Sequence, residues 1–330
     1  MTTTRRDALL LPAALCAATT GARAQGAAEA AWPSRPVRII VPAPGGGGTA
    51  DTVARIFAQE LEKRIGQRVL VDNRGGANGN IGAAAAARSA PDGYTLLWAW
   101  AGTLATNPAL YRDLPFDPER DFDPVVLVGN VPNILVVNRQ FGPRGLAEFG
   151  AYARANPGAV NFGSSGNGSS MHLAGELYKS LTGARMTHVP YTAPAAAVTD
   201  LLSGRIQAMF NLVTGVAPQV RAGEVVPLAV LSERRASQLS DVPTTAELGL
   251  PGLVFGTWFG ILVPRGTDPT LVRRLNALSN EILGDPEGRA RLEAAGLEVY
   301  GGAPERLAAY LRAEIARHAE LVRVSGARLD

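Results

Sequence analysis

The chain is poor in residues that bind transition metals: it has one cysteine and three histidines in 330 residues. Cys16 falls inside an N-terminal segment expected to be removed, which leaves no thiol for disulfides, thiolate catalysis or a cysteine metal site. His172, His188 and His318 stand at no metal-ligand spacing and read as unrelated polar or packing residues, so neither metal nor cofactor is expected. A long apolar run is missing too. The stretch Ala8 to Ala18 is well short of the roughly 20 residues a spanning helix needs, so the protein is not expected to be membrane-embedded. Finally, there is no lasting excess of one charge. Removing Arg5, Arg6, Arg23 and Asp7 takes the 32 basic residues to 29 and the 29 acidic residues to 28, which argues against nucleic-acid or lipid partners.

The opening residues instead carry an export pattern. Arg5 and Arg6 precede the apolar stretch, and Ala22-Arg23-Ala24 forms a small-residue cleavage site. This predicts a twin-arginine-like signal over residues 1–24, cleavage near Ala24 and a periplasmic mature protein. A lipid anchor on Cys16 would want a small residue where Leu15 stands.

About 300 mature residues can bury a large core and usually form two domains. Apolar strands alternate with amphipathic helices from VRIIV through TVARIFAQELEKRI, RVLVDN and GNIGAAAAARSA to YTLLW, the βαβ rhythm of a mostly parallel sheet. Val53, Ile56, Phe57, Leu61 and Ile65 form one buried helical stripe, with Asp51 placed to cap that helix. The rhythm restarts near Asn133 with ILVV and runs through VNF, a helix from about Ser169 to Leu181, AMF and PLAVL. WFGILVP follows, and a last helix runs from Pro304 to about Val324.

Two loops carry chemistry. VPAPGGGGTAD, Val41 to Asp51, is a glycine-rich turn between a strand and a helix. It contains GxGxxA (Gly45, Gly47, Ala50), and Asp72 ends the next strand where a ribose-binding acid would sit. An exported NAD(P)-dependent oxidoreductase is therefore the alternative reading. Against it, Pro42 and Pro44 break the tight turn that the fingerprint needs, and no His or Lys stands out as a hydride-transfer partner. The second loop, Ser164 to Ser170, leads into a helix whose free amides and positive dipole end suit an anion. Its serines add hydroxyl donors. It does not complete GxSxG, because Asn167 stands at the last position.

These loops belong to a wider pattern. WPSRPVRIIVPAPGGG, VDNRGGANGNIGAAAAARSAPDGYTLL, NFGSSGNGSSMHLAGELYKSLTG, HVPY, DLLSGRIQAMF, DVPTTAELGLPG and WFGILVPRGT occur in order. In them the chain resembles the Bug-type extracytoplasmic receptors of tripartite tricarboxylate transporters. The resemblance implies an α/β type II periplasmic-binding fold, with two doubly wound lobes joined by crossover strands around a ligand cleft. The lobes would be residues 25–130 with 258–330, and residues 131–257, with crossovers near Val131 to Asn138 and Thr257 to Pro264. It further implies a monomeric receptor and no enzyme, binding a small carboxylate (dicarboxylate, tricarboxylate or aromatic acid) for a tripartite tricarboxylate permease or a sensor protein. Ligand contacts would come from Ala43, Pro44, Gly45, Gly46 and Gly47, and from Trp100, Ala101, Gly102 and Thr103. On the other lobe they would come from Ser164, Ser165, Gly166, Asn167, Gly168, Ser169 and Ser170, with Tyr191 and Asn211 nearby.

The chain departs from the family pattern where ligand identity would be set. Its first glycine loop is one residue longer and reads TAD in place of Thr-Asp. Ala193 and Pro194 replace Gly and a small polar residue, Asn211 an acid, and Leu212 an amide. Trp98 and Trp100 stand where small residues are frequent. Strand alternation puts both on one face, and Trp100 at the strand end is expected to reach the cleft, which points to a more apolar or aromatic acid.

Overall fold

The computed structural model describes residues 32–46 and 48–327. The chain divides into a short unit, Met1–Ser34, and a compact one, Arg35–Asp330, and the description below concerns the second. The expected export signal and Gly47 lie outside the described residues.

The order is β1 (Val37–Val41), α1 (Thr49–Ile65), β2 (Val69–Asn73), α2 (Asn80–Ala87) and β3 (Thr95–Trp100). A π-helical turn, Gly102–Thr106, and α3 (Asn107–Leu110) follow. The long strand β4 (Phe122–Asn138) leads to α4 (Leu146–Ala155), β5 (Asn161–Ser164), α5 (Ser170–Thr182) and β6 (Thr187–Pro190). Next come α6 (Pro194–Leu202), β7 (Ala208–Leu212), α7 (Val213–Arg221) and β8 (Val225–Val230). The chain returns through β9 (Gly256–Pro264), α8 (Pro269–Gly284), α9 (Pro286–Ala294), β10 (Glu298–Val299) and α10 (Pro304–Ser325).

Two parallel groups make up the sheet. β1 pairs in parallel with β2 and β3, and β5 with β6 and β7. β4 joins them by changing partner: Phe122 to Pro132 run antiparallel to β9, then Asn133 to Val137 run antiparallel to β7. β9 also pairs with β3, setting Trp100 opposite Phe259. From Val125 to Asn138 every residue of β4 is buried, as a near-continuous apolar run buried on both faces requires.

Each half has its own core. Ile40, Leu97, Leu127 and Trp258 pack in the first half. In the second, Phe149, Phe162, Tyr178 and Phe210 pack on one side and Ile134, Met171, Met209 and Val216 on the other. α10 serves both halves, giving Leu307 and Leu311 to the first core and Leu321 and Val322 to the second.

The helix start differs from expectation at one point. α1 begins at Thr49 behind the N-cap Gly48, so Asp51 lies inside the first turn. Its Oδ2 still accepts a hydrogen bond, from Gly46 N–H at 3.2 Å.

Candidate functional site

Parallel strands end where helices begin, so the loops beyond β1, β3, β5 and β7 all carry helix N-termini to one side of the sheet. A cavity of about 470 Å³ opens among them. Its wall contains no lysine or arginine among the described residues.

On the second half, the wall is the turn between β5 and α5: Ser165, Asn167, Gly168, Ser169, Ser170 and Met171. Ser169 is the N-cap of α5; its Oγ accepts from His172 N–H at 3.3 Å and donates to Gly166 O at 2.8 Å. Gly166 N–H is taken by Ser164 Oγ, and Gly168 N–H by His172 Nδ1, both at 3.1 Å. Among the described residues, the N–H groups of Ser165, Asn167, Ser170 and Met171 meet no acceptor in the chain. Four main-chain donors without a partner thus belong to residues that line the cavity, at the positive end of a 13-residue helix.

On the first half, Ala43, Pro44, Gly45, Gly48, Thr49, Ala50 and Asp51 line the cavity. Asp51 is buried and supplies a carboxylate to the first turn of α1, held by Gly46 N–H and by Arg55 Nε at 2.9 Å. The first turns of α5, α6 and α7 carry no acid. The end of α1 therefore has its own negative charge, while that of α5 is uncompensated. Thr49 Oγ1 lies 2.9 Å from Thr214 Oγ1 and links the starts of α1 and α7.

Trp100, Ala101 and Gly102 complete this side. A Cβ on Gly102 would lie 3.0 Å from the Trp100 ring, so a side chain there would press on the indole. Trp98 is fully buried, packed against Phe57 and Phe259 at 5.6 and 5.8 Å between ring centroids. One tryptophan lines the cavity and the other belongs to the core.

The remaining sequence-derived candidates stand off the wall. Ser164 and Gly166 form the inner layer of the α5 turn. Thr103 is fully buried and donates to Asn78 O at 3.0 Å. The Tyr191 hydroxyl donates to Asp200 Oδ2 at 2.9 Å, and burial together with that carboxylate pushes the phenol up to about 12. Asn211 is fully buried, with Oδ1 accepting from Leu212 N–H at 2.8 Å. Gly46 acts through its bond to Asp51.

Several wall residues escaped the sequence reading. Asn78 sits in the left-handed region at φ 51°, next to Ala77 at φ 47°. It is clamped by buried Asn107, which donates to Asn78 O at 3.0 Å and accepts from Asn78 Nδ2 at 2.6 Å. Such a strained conformation persists only where the surroundings over-determine it. The run of glycine and asparagine in GGANGN was the available signal. Thr257 and Phe259 reach the wall from β9, and period-two alternation would have placed both opposite Trp258. His318, from the middle of α10, gave no signal. Its Nδ1 lies 2.7 Å from Thr106 Oγ1 and its Nε2 lies 3.3 Å from Glu314 Oε2. This row has the order of a nucleophile, base and acid, and Thr106 and His318 both line the cavity; Thr106 is only 1% exposed, and the contact ties α10 to the π-helical turn.

The motif-bearing Asp72 is engaged by Arg74 Nε at 2.9 Å and lies off the cavity.

Comparison with known proteins agrees with this architecture. A family model described as the tripartite tricarboxylate transporter family receptor matches residues 53–326. Protein BugT of Bordetella pertussis is 39% identical over 313 residues, covering 94% of this chain and 95% of BugT. The solved structure of R. palustris Rpa4515 with adipate has a TM-score of 0.80 at 38% identity, covering 90% of this chain and 100% of that one. MatC from Rhodopseudomonas palustris with bound malate gives 0.74 at 34%, covering 88% and 100%. Fold and cavity thus define a solute-binding receptor of the type II periplasmic-binding class, with two doubly wound α/β lobes joined by crossover strands around a ligand cleft. Within that class, the chain belongs to the Bug-type receptor family of tripartite tricarboxylate transporters. No helix among the described residues is long and apolar enough to cross a membrane.

Proposed function

We propose that this chain is an exported receptor that captures a small carboxylate between two lobes, residues 25–130 with 258–330 and residues 131–257, and releases it unchanged. The carrying observation is the set of unpartnered amides of Ser165, Asn167, Ser170 and Met171 on a wall without lysine or arginine. Main-chain donors at an uncompensated helix N-terminus bind an anion without a charged side chain, because the dipole and the orphan N–H groups act together. A carboxylate is the anion that relatives support: Rpa4515 is described with adipate and MatC with malate. Trp100, Phe259, Met171 and Pro44 add apolar wall. That favours an acid with a substantial carbon body, whether dicarboxylate, tricarboxylate or aromatic. The mature protein works as a monomer in the periplasm after loss of residues 1–24. It delivers its ligand to a tripartite tricarboxylate permease or reports it to a sensor protein.

A thermal-shift screen of mono-, di-, tri- and aromatic carboxylates tests this. A ligand that binds only the folded state at a hundredfold excess over Kd adds about 2.7 kcal/mol of stability, or roughly 5–10 °C for a protein of this size. At least one acid is expected to give such a shift and to be recovered unchanged by mass spectrometry. Turnover of that acid, or a response to NAD(H) with none to any acid, would replace the receptor with an enzyme.

A further inference from the structure

Behind the α5 turn, on the side away from the cavity, His172 and His188 lie face to face, 3.8 Å between ring centroids and 15° between planes. Each holds a different end of the turn. His188 Nε2 is 2.6 Å from Ser164 Oγ, the atom that also receives Gly166 N–H. His172 Nδ1 accepts from Gly168 N–H at 3.1 Å. A main-chain N–H only donates, so Nδ1 of His172 carries no proton and its proton sits on Nε2. That nitrogen points toward Glu176 Oε1 at 3.8 Å.

We infer that His172 and His188 are positioning residues of the ligand site: a stacked pair of neutral imidazoles that sets which amides of the turn face inward and which face the ligand. The inference rests on the carboxylate reading above. Gly166 and Gly168, at φ 112° and 76°, direct their N–H groups back to Ser164 and His172. The amides of Ser165 and Asn167, on either side of Gly166, and those of Ser170 and Met171 beyond, have no acceptor in the chain and belong to residues of the cavity wall. The alternation of spent and free donors therefore depends on two acceptors that the histidines supply or hold. Stacking favours neutral rings, since two imidazolium cations at this separation repel. Burial acts in the same direction on both.

Two variants test the pair independently, each keeping an aromatic ring in the stack while removing the nitrogen: His172→Phe and His188→Phe. The first readout, amide hydrogen exchange, needs no ligand. Protection of Gly168 is expected to fall about tenfold or more in His172→Phe, and that of Gly166 in His188→Phe, while amides in the middle of α5 keep theirs. The second is calorimetric titration at pH 7 with adipate, malate and benzoate. Any probe bound by the parent protein is expected to lose about tenfold in affinity or more in each variant, against a melting point lowered by only a few degrees. A purely structural role would lower the melting point and leave Kd in the surviving folded protein unchanged, which would overturn the inference. Unchanged exchange at Gly166 and Gly168 would overturn it as well. If the parent binds none of the three probes nor any acid in the wider screen, the carboxylate reading fails, and hydrogen exchange still decides whether the histidines set the turn.

Discussion

Gly46 adopts φ 107°, a conformation that L side chains rarely take, and a Cβ built there would meet nothing within 4 Å. Gly46→Val is therefore strained by backbone rather than by collision. The loop is expected to shift and release Asp51 from Gly46 N–H, raising Kd for the bound acid about tenfold or more with a melting-point loss of a few degrees. Unchanged affinity by titration calorimetry would take the loop out of the site. Ser169→Ala removes both the cap to His172 N–H and the bond to Gly166 O, and should cost about 0.5–2 kcal/mol in chemical denaturation. Ser165→Asp places an anion beside the free amides and should weaken the acid more than Ser169→Ala does. Equal affinity of the Asp variant and the parent would put the carboxylate elsewhere. At this scale the sequence was most legible where one residue type does one job. The serine and glycine runs marked both loops, and alternation placed Trp98 and Trp100 on one face. Its place at the strand end singled out Trp100 as the one that meets the cavity, and Trp98, two residues earlier, lies in the core. Asn78 was hidden because its clamp, Asn107, lies 29 residues away.

Among elements, the buried start of α5 contributes acid sensitivity. Burial, with repulsion from His188 and then Lys179, pushes His172 down to about 3; burial, then Lys179, pushes His188 down to about 4. Unfolding returns both to near 6.5, so below that pH the unfolded chain binds protons that the folded one refuses. The stabilisation is complete above about pH 6.5 and is lost as pH falls toward the folded values. Each unit of pH across that window costs up to about 1.4 kcal/mol for buried His172, and less for half-buried His188, which water screens. Urea midpoints are expected to fall steadily from pH 7 to pH 4.5, above the main carboxylate range, and to fall less steeply in His172→Phe. A flat midpoint over that interval would mean that the rings titrate near their free value. None of this was visible in the sequence, which offered two isolated histidines 16 positions apart. Their stacking is a tertiary contact between the start of α5 and β6, which no local pattern records. Helices with a regular apolar stripe were legible nearly to the residue, as α10 was from Pro304, because packing one face is a local pattern.

For the whole molecule, the change of partner within β4 between Pro132 and Asn133 is the step that composition and periodicity could not supply, since the strand reads as one apolar run. Resemblance supplied it, by placing one of its two crossovers near Val131 to Asn138; the other, Thr257 to Pro264, pairs only with β3 and β4 of the first group. α10 ties the two cores together, and the Thr49 and Thr214 hydroxyls meet across the start of α1 and α7. The donors at Ser165, Asn167, Ser170 and Met171 belong to the main chain, and point mutation replaces side chains while leaving an N–H at every position except a new proline. A gene for this protein can therefore drift at Trp100, Pro194, Leu212 and Phe259 while these four donors are inherited intact. A duplicated copy could acquire a new ligand without descending through an ancestor that bound nothing.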